Sequence, residues 1–265
     1  MAIFVPEVFA DALQTEFLGK LKLGALATQV NGLEGQPGNA VNLPYFAYAG
    51  DADIVGAGVG ANPANLTGSA VKATVKKAVK AFAITDEDAT QGAGDPVGQI
   101  RLQMATAIAG AIDKELMDAL LTTVKTVGNG GAVISRDNIV DAQALLGDDS
   151  EGAVLVIHSK QLSDIYKDAN FVSAAVIGAP IMIGGISAVG TFYGMPVIVS
   201  DRVQKVGNVY TAVVFKPEAL VLGYKRSPIT EEQRDVLKGQ SYLVGNVHFA
   251  VALAKADKAV KIETL

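Results

Sequence analysis

The stretch "ALVLGYKRSPITEEQRDVLKGQSYLVGNVHFAVALAKADKAVKIETL", residues 219–265, closes the chain with three apolar runs set between polar segments. ALVLGYK (219–225) reads as a strand and SYLVGNVHFAVAL (241–253) as a long one, because both are rich in β-branched and aromatic residues. AVKIETL (259–265) reads as a final strand. The polar RSPITEEQRDVLKGQ (226–240), with its proline, reads as a loop between the first two.

Working outward, VYTAVVF (209–215), MPVIVSD (195–201) and AVLVIHS (153–159) are short apolar runs that read as buried strands. SRDNIVDAQALLGDD (135–149) reads as a helix, and SKQLSDIY (159–166) as a helix capped by Ser159. Strands alternating with helices make this region α/β. Within it, GTFYGMPVIVSD (190–201) reads as a corner: Gly190 and Gly194 permit a tight turn, Pro196 fixes the start of a strand, and Ser200-Asp201 mark its exit. The segment FVSAAVIGAPIMIGGISAVG (171–190) is apolar but broken by Pro180 and four glycines, and reads as loop-rich.

The strongest helix lies further back. Asp95 is a good N-cap with Pro96 in the first helical position. Ile100, Met104, Ile108, Ile112, Leu116, Leu120 and Val124 then recur in steps of four. A helix over 96–124 is roughly 44 Å long at 1.5 Å per residue. Steps of four drift by about 40° each time, so the stripe winds round the helix and meets several partners.

Ahead of it, AVNLPYFAY (40–48) and AVKATVKKAVKAF (70–82) flank a glycine-rich centre. They read as the arms of a hairpin roughly 30 Å long, at about 3.3 Å per residue. A two-stranded ribbon of that kind is not stable alone, so it must lie on another body. Lys72, Lys76 and Lys80 fall on one side of the second arm and Val71, Val75 and Val79 on the other; the lysines could touch DNA or an acidic neighbour, but read first as a solvated face or subunit contact. At the start, Phe9, Leu13, Phe17 and Leu21 recur every four residues behind Pro6, an amphipathic helix. NGLEGQPGNA (31–40) is a turn-rich linker.

Composition narrows the function classes. Half of the 265 residues are hydrophobic and 18% are charged, and the mean hydropathy is +0.32. So apolar a chain has a deep core or hides surface against other subunits. No run reaches the roughly 18–20 apolar residues of a membrane helix. With no cysteine, disulfides and thiolate chemistry are excluded. A net charge of −5 argues against tight binding to nucleic-acid phosphates.

Candidate chemistry does not accumulate. GAGVGA (56–61) lacks the following helix that a dinucleotide loop needs, because Pro63 comes next, and reads as a loop tip. His158 and His248 have no metalloprotease spacing and read as structural. Ser200, Asp201 and a histidine could be assembled into a triad on paper, but no G-x-S-x-G elbow supports it. TDEDA (85–89) lacks the pattern of a calcium loop, and Thr85 with Asp88 reads as a helix cap. The sequence therefore offers no catalytic, cofactor-binding or metal-ligating residue and no cofactor.

The order of these parts resembles the major capsid proteins of tailed bacteriophages with the Hong Kong ninety-seven fold. The opening VPEVFADAL before VNLPYF, the long hairpin, the helix at 96–124, the units VLVIHSKQLSDIY and GTFYGMPVIVSD, and above all the 219–265 tail carry the likeness. It implies an α+β capsid fold with four parts in the chain. These are an N-terminal arm and linker over 1–38, an extended β-hairpin loop over 39–82, and a peripheral domain over 83–130 and 218–253. The 96–124 spine helix belongs to that peripheral domain, and an axial α/β domain spans 131–217 and 254–265.

The resemblance further implies a structural protein, not an enzyme, that assembles with copies of itself into pentamers and hexamers. These form an icosahedral head, assembled in the host cytoplasm, around double-stranded DNA held without sequence-specific contact. A portal and a decoration protein are implied partners; a membrane is not. Some members weld subunits by a Lys–Asn isopeptide bond helped by a Glu. Here 39–71 holds no lysine, and Gln240 and Val247 stand at the Asn and Glu positions, so a non-covalent shell is expected. Met1 leads directly into the arm, so a separate scaffolding protein is expected. The alternatives are an encapsulin-like nanocompartment shell and, from another class, a soluble α/β binding domain or enzyme.

Overall fold

The computed structural model describes residues 6–30, 38–46, 49–56, 68–91, 94–147, 150–167, 171–173, 181–183 and 186–265, and the single positions 58, 60, 63, 65 and 66. The chain opens with α1 (Pro6–Lys20), α2 (Leu23–Leu26) and β1 (Thr28–Gln29). The hairpin arms β2 (Ala40–Phe46) and β3 (Gly68–Thr85) follow, then α3 (Asp86–Gln91) and the long α4 (Pro96–Leu120). Next come β4 (Thr126–Val127), α5 (Arg136–Ala144), β5 (Val154–Ile157), α6 (Ser159–Tyr166) and β6 (Phe171–Ser173). Five short strands run on from there: β7 (Ile181–Ile183), β8 (Ile186–Ala188), β9 (Gly190–Phe192), β10 (Met195–Val199) and β11 (Lys205–Val206). β12 (Val209–Phe215), β13 (Leu220–Asp235), β14 (Gln240–Leu253) and β15 (Ala259–Thr264) complete the chain.

Two sheets organise these elements. One has the order β1-β13-β14-β3-β2, and the other β4-β15-β12-β5-β10-β9-β6, with β11 on the side of β12. The second sheet is covered on both faces, which is why its central strands read as unbroken apolar runs. Val154, Val156, Val213, Phe215 and Ile198 join the core around α4. Their neighbours Leu155, Ile157, Ala212, Val214 and Val197 face a second core with Ile139 of α5 and Ile165 of α6. The period of two splits each strand between the two cores.

α4 is the element on which both sheets depend. The Asp95 side chain accepts from the Gly98 amide at 2.9 Å, as its sequence position implied. Met104, Ile108, Ile112, Leu116, Met117 and Leu120 are buried. The helix ends at Leu120, short of the expected 124, and Val124 is exposed, not part of the stripe. Thr123 explains this: its hydroxyl donates to the Ala259 carbonyl at 2.7 Å and draws the chain toward β15. Gly245 of β14 lets α4 lie close, since a Cβ there would sit 2.3 Å from the Met104 sulfur.

The structure corrects four more readings. The polar stretch 226–240 is not a loop: β13 runs to Asp235 and pairs with β14 as far as Asp235↔Gln240. Register shifts around Arg226 and Ile229 absorb Pro228, which a regular ladder would not tolerate. The cap of α6 is His158, not Ser159; its Nδ1 accepts from the Lys160 amide at 3.1 Å. The segment 171–190 contributes strands β6 to β8, although 174–180 and 184–185 lie outside the described residues. At the 190–201 corner the left-handed residues are Tyr193 and Gly194, with φ of 47° and 79°. They make a primed hairpin turn between β9 and β10, whereas Gly190 is a buried strand residue opposite Val197.

Truncating the buried keel has a predictable cost. Leu116→Ala should lower stability by about 2–5 kcal/mol, because it leaves a cavity. Leu145→Ala, at an exposed position, should cost far less. Urea unfolding of the two variants checks the difference.

Candidate functional site

The corner that first suggested chemistry brings several polar groups together. His158, Ser200 and Asp201 are neighbours through the parallel pairing of β5 with β10. His158 Nε2 stands 3.9 Å from an Asp201 carboxylate oxygen. The Ser159 hydroxyl, together with His158 and Lys22, holds the Asp201 carboxyl below its ordinary value. A nucleophile is not assembled, however. Ser200 is buried, and its oxygen accepts from the Arg202 amide at 3.3 Å. His158 Nδ1 accepts from the Lys160 amide, with the Ser159 hydroxyl 3.4 Å from the same nitrogen, and its other nitrogen faces Asp201. The cluster closes a strand end and caps a helix.

His248 is half-buried on β14, cross-strand from Lys77 and Arg226. In TDEDA, the Asp88 amide donates to the Thr85 hydroxyl at 3.1 Å, so Thr85 caps α3 as read. Among the described residues no group of His, Cys, Asp or Glu could hold a metal ion. Gly56, Gly58 and Gly60 of the GAGVGA tip are exposed or open, and its other residues lie outside the described ones.

A residue missed in the sequence proves central. Asp113, buried on α4, accepts from the amides of Lys22 and Gly24 at 2.9 and 3.0 Å. The short helix α2 has no side-chain cap of its own, and Asp113 supplies one from a distant part of the chain. Burial pushes its carboxyl above its ordinary value, and the amides of Lys22, Gly24 and Leu23 oppose that without cancelling it. Lys22 Nζ donates to the Val199 carbonyl at 2.9 Å, and Glu16 pairs with Arg101 at 2.9 Å. The arm is thus tied to α4 and to the second sheet. The only sequence signal was an acid beside Ile112 on an otherwise apolar face.

Two ribbons project from this body. In the first, β2 and β3 pair from Ala40↔Thr74 to Phe46↔Gly68. Phe46, Ile54, Val55 and Leu66, at or beyond its far end, are exposed. In the second, the turn between β13 and β14 presents Val236 and a 99% exposed Leu237. Arg234 grips Asp86 through two hydrogen bonds, at 2.5 and 2.6 Å, and braces that turn. The lysine stripe of β3 is not wholly solvated: Lys76 pairs with Glu115 of α4.

Two ribbons with exposed apolar ends project from one body, as in a subunit that packs against others. Comparison with known proteins agrees. The model of a phage capsid protein family matches residues 68–262. The major capsid protein of Staphylococcus phage phiMR11 is 30% identical over 262 residues, covering 97% of this chain and 92% of that protein. Solved capsid structures show the same fold. Mycobacterium phage Che8 has a TM-score of 0.68 at 18% identity, covering 91% of this chain and 90% of that one. The capsid of an empty GTA particle has a TM-score of 0.69 at 12% identity, covering 92% and 90%. The chain belongs to the phage capsid protein family, and its role is that of a phage major capsid protein.

Two predictions follow from the corner and the tie. Ser200→Ala should leave folding and assembly nearly unchanged, whereas Val197→Asp, in a fully buried position, should abolish soluble protein; expression and particle yield check both. The pH dependence has opposite signs at two carboxylates. Between the ordinary value and its raised one, folded Asp113 holds a proton that the unfolded chain has lost, so its contribution to stability falls as pH rises through that window. Asp86, held low by Arg234, contributes stability that is lost as pH falls through the acid range. In urea unfolding across pH, Asp113→Asn should remove the first slope and Asp86→Asn the second.

Proposed function

We propose that this capsid protein builds an icosahedral head from pentamers and hexamers, and that its role is structural and not catalytic. The observation that carries the proposal is the β2–β3 ribbon. Its base packs on β14, with Ala73 buried beside Ala250 and Ala252, but its outer part is a two-stranded projection with exposed apolar side chains at the far end, an arrangement that gains stability against another subunit. In this reading 1–38 is the arm and 39–82 the extended loop. Residues 83–130 and 218–253 form the peripheral domain around the spine helix, and 131–217 with 254–265 form the axial domain. Burial of apolar area, at about 25 cal/mol per Å², drives association.

The head encloses double-stranded DNA and assembles in the bacterial cytoplasm, with a scaffolding protein, a portal and a decoration protein as further partners. The shell is held without isopeptide welds. Val247 is fully buried, and the Gln240 amide donates to the Tyr242 hydroxyl within the same strand.

Electron microscopy of the purified protein tests the proposal. Closed particles are expected from the full chain. Replacing 49–66 with a short flexible linker should leave a folded subunit, lighter than the 27.4 kDa full chain, that forms none. Normal particles from the shortened chain would refute the role given to the ribbon.

A further inference from the structure

The exposed side of α4 is the floor of a broad surface bordered by four concavities, together termed the trough. Gln103, Ala107, Ala111, Lys114, Asp118 and Thr122 follow one another at steps of three or four along that side. Four concavities of about 470, 300, 490 and 380 Å³ lie along it, and neighbours share the wall residues Lys76, Lys114, Asp118 and Arg202. From Ala107 to Thr122 the floor is about 22 Å long.

Charge is segregated onto this trough. Lys76, Lys77, Lys80 and Lys114 surround the first concavity, and Lys72 stands at the second. Arg202 and Lys205 line the third, and Lys20 and Lys22 the fourth. These nine cations, of 22 in the chain, face only Asp113, Glu115, Asp118 and Asp201, of 27 carboxylates. The remainder of the chain keeps 13 cations against 23 carboxylates. An acidic protein thus carries one locally basic concave surface. Of the four carboxylates, Asp113 is buried against the arm and Glu115 is paired with Lys76.

We propose that this trough is the wall that faces packaged DNA and that its lysines meet the phosphate backbone of a duplex. The inference rests on the reading of the shell as a DNA container, and names the surface involved. Over the length of the trough, duplex DNA presents about a dozen phosphates, at one per 1.7 Å of axis. The floor suits a smooth backbone. Small residues, Ala107, Gly110, Ala111 and Ala119, make up most of it, with Val79, Ile108 and Phe249 confined to the first concavity. Gly110 lets the Arg202 guanidinium lie across the helix, since a Cβ there would stand 2.4 Å from Nη2. Lysines on flexible stems make point-charge contacts without base readout. Contact of this kind is weak and salt-dependent, which agrees with a net charge of −5.

Titration of a fluorescent DNA duplex with unassembled subunits, over a range of salt, tests this. The variant Lys80→Glu/Lys114→Glu/Lys205→Glu reverses three exposed trough charges. The control Lys160→Glu/Lys167→Glu/Lys238→Glu makes the same change of net charge at exposed positions outside the trough. The trough variant should lower the slope of log affinity against log salt by about 3, one per lost phosphate contact; the control should keep the original slope. The corresponding glutamine variant should lose affinity to a lesser degree, which separates charge loss from misfolding, and urea midpoints confirm the fold. Equal losses in trough variant and control, or no binding by the parent chain, would overturn the proposal. So would polyglutamate binding through the same lysines in place of the duplex, which would assign the trough to an acidic polypeptide. Particle formation by the same variants reports on the shell role separately.

Discussion

One helix must satisfy three layers at once. α4 buries Met104 and Ile108 toward the β13–β14–β3 sheet, where Gly245 makes room for them. Further along, Ile112, Leu116 and Leu120 share a core with Val154, Val213 and Phe215 of the second sheet. Its flank receives α1, with Leu13 and Phe17 buried against the same core. A stripe that advances by fours winds around a helix of 3.6 residues per turn, and that drift lets one helix serve several neighbours. The two sheets are held to each other largely through this element.

Polar ties then decide where the arm goes. Apolar packing is non-directional, and α1 could slide on α4 at modest cost. The Asp113 carboxylate removes that freedom by capping α2, and Lys22 and Glu16 add fixed points at Val199 and Arg101. The same side chains that position the arm also border the basic trough, since Lys22 and Asp113 line its last concavity. Arm placement and the proposed DNA-facing surface are therefore coupled through one helix.

Much of this was legible because it follows from local chemistry. The run 209–215 reads as a buried strand since both of its faces are covered, and Asp95-Pro96 starts α4 where its cap says it should. The misreadings lie where distant contacts override local pattern. Thr123 ends α4 by bonding to β15, which nothing near it in sequence reveals. TEEQRD looks like a loop because it is polar, yet its strand is stabilised by the ladder to β14 and projects beyond the core that would demand apolar residues. Val236 and Leu237, which follow that polar run, are the exposed apolar residues at its turn. His158, a weak capping residue by type, caps α6 because the β5 strand end aims its ring back at the Lys160 amide.

The central claim is that the projecting ribbon completes its structure only between subunits. Amide hydrogen exchange, compared between free subunits and assembled shells, tests it most directly. The β3 amides at 75–85, which pair with β14 inside the subunit, should be protected in both states. Those of the outer ribbon at 43–46 and 68–70, beyond the base where Val41, Val71 and Ala73 pack on β14, should exchange fast in the free subunit and become protected in the shell. Equal protection of the ribbon in both states would contradict the account.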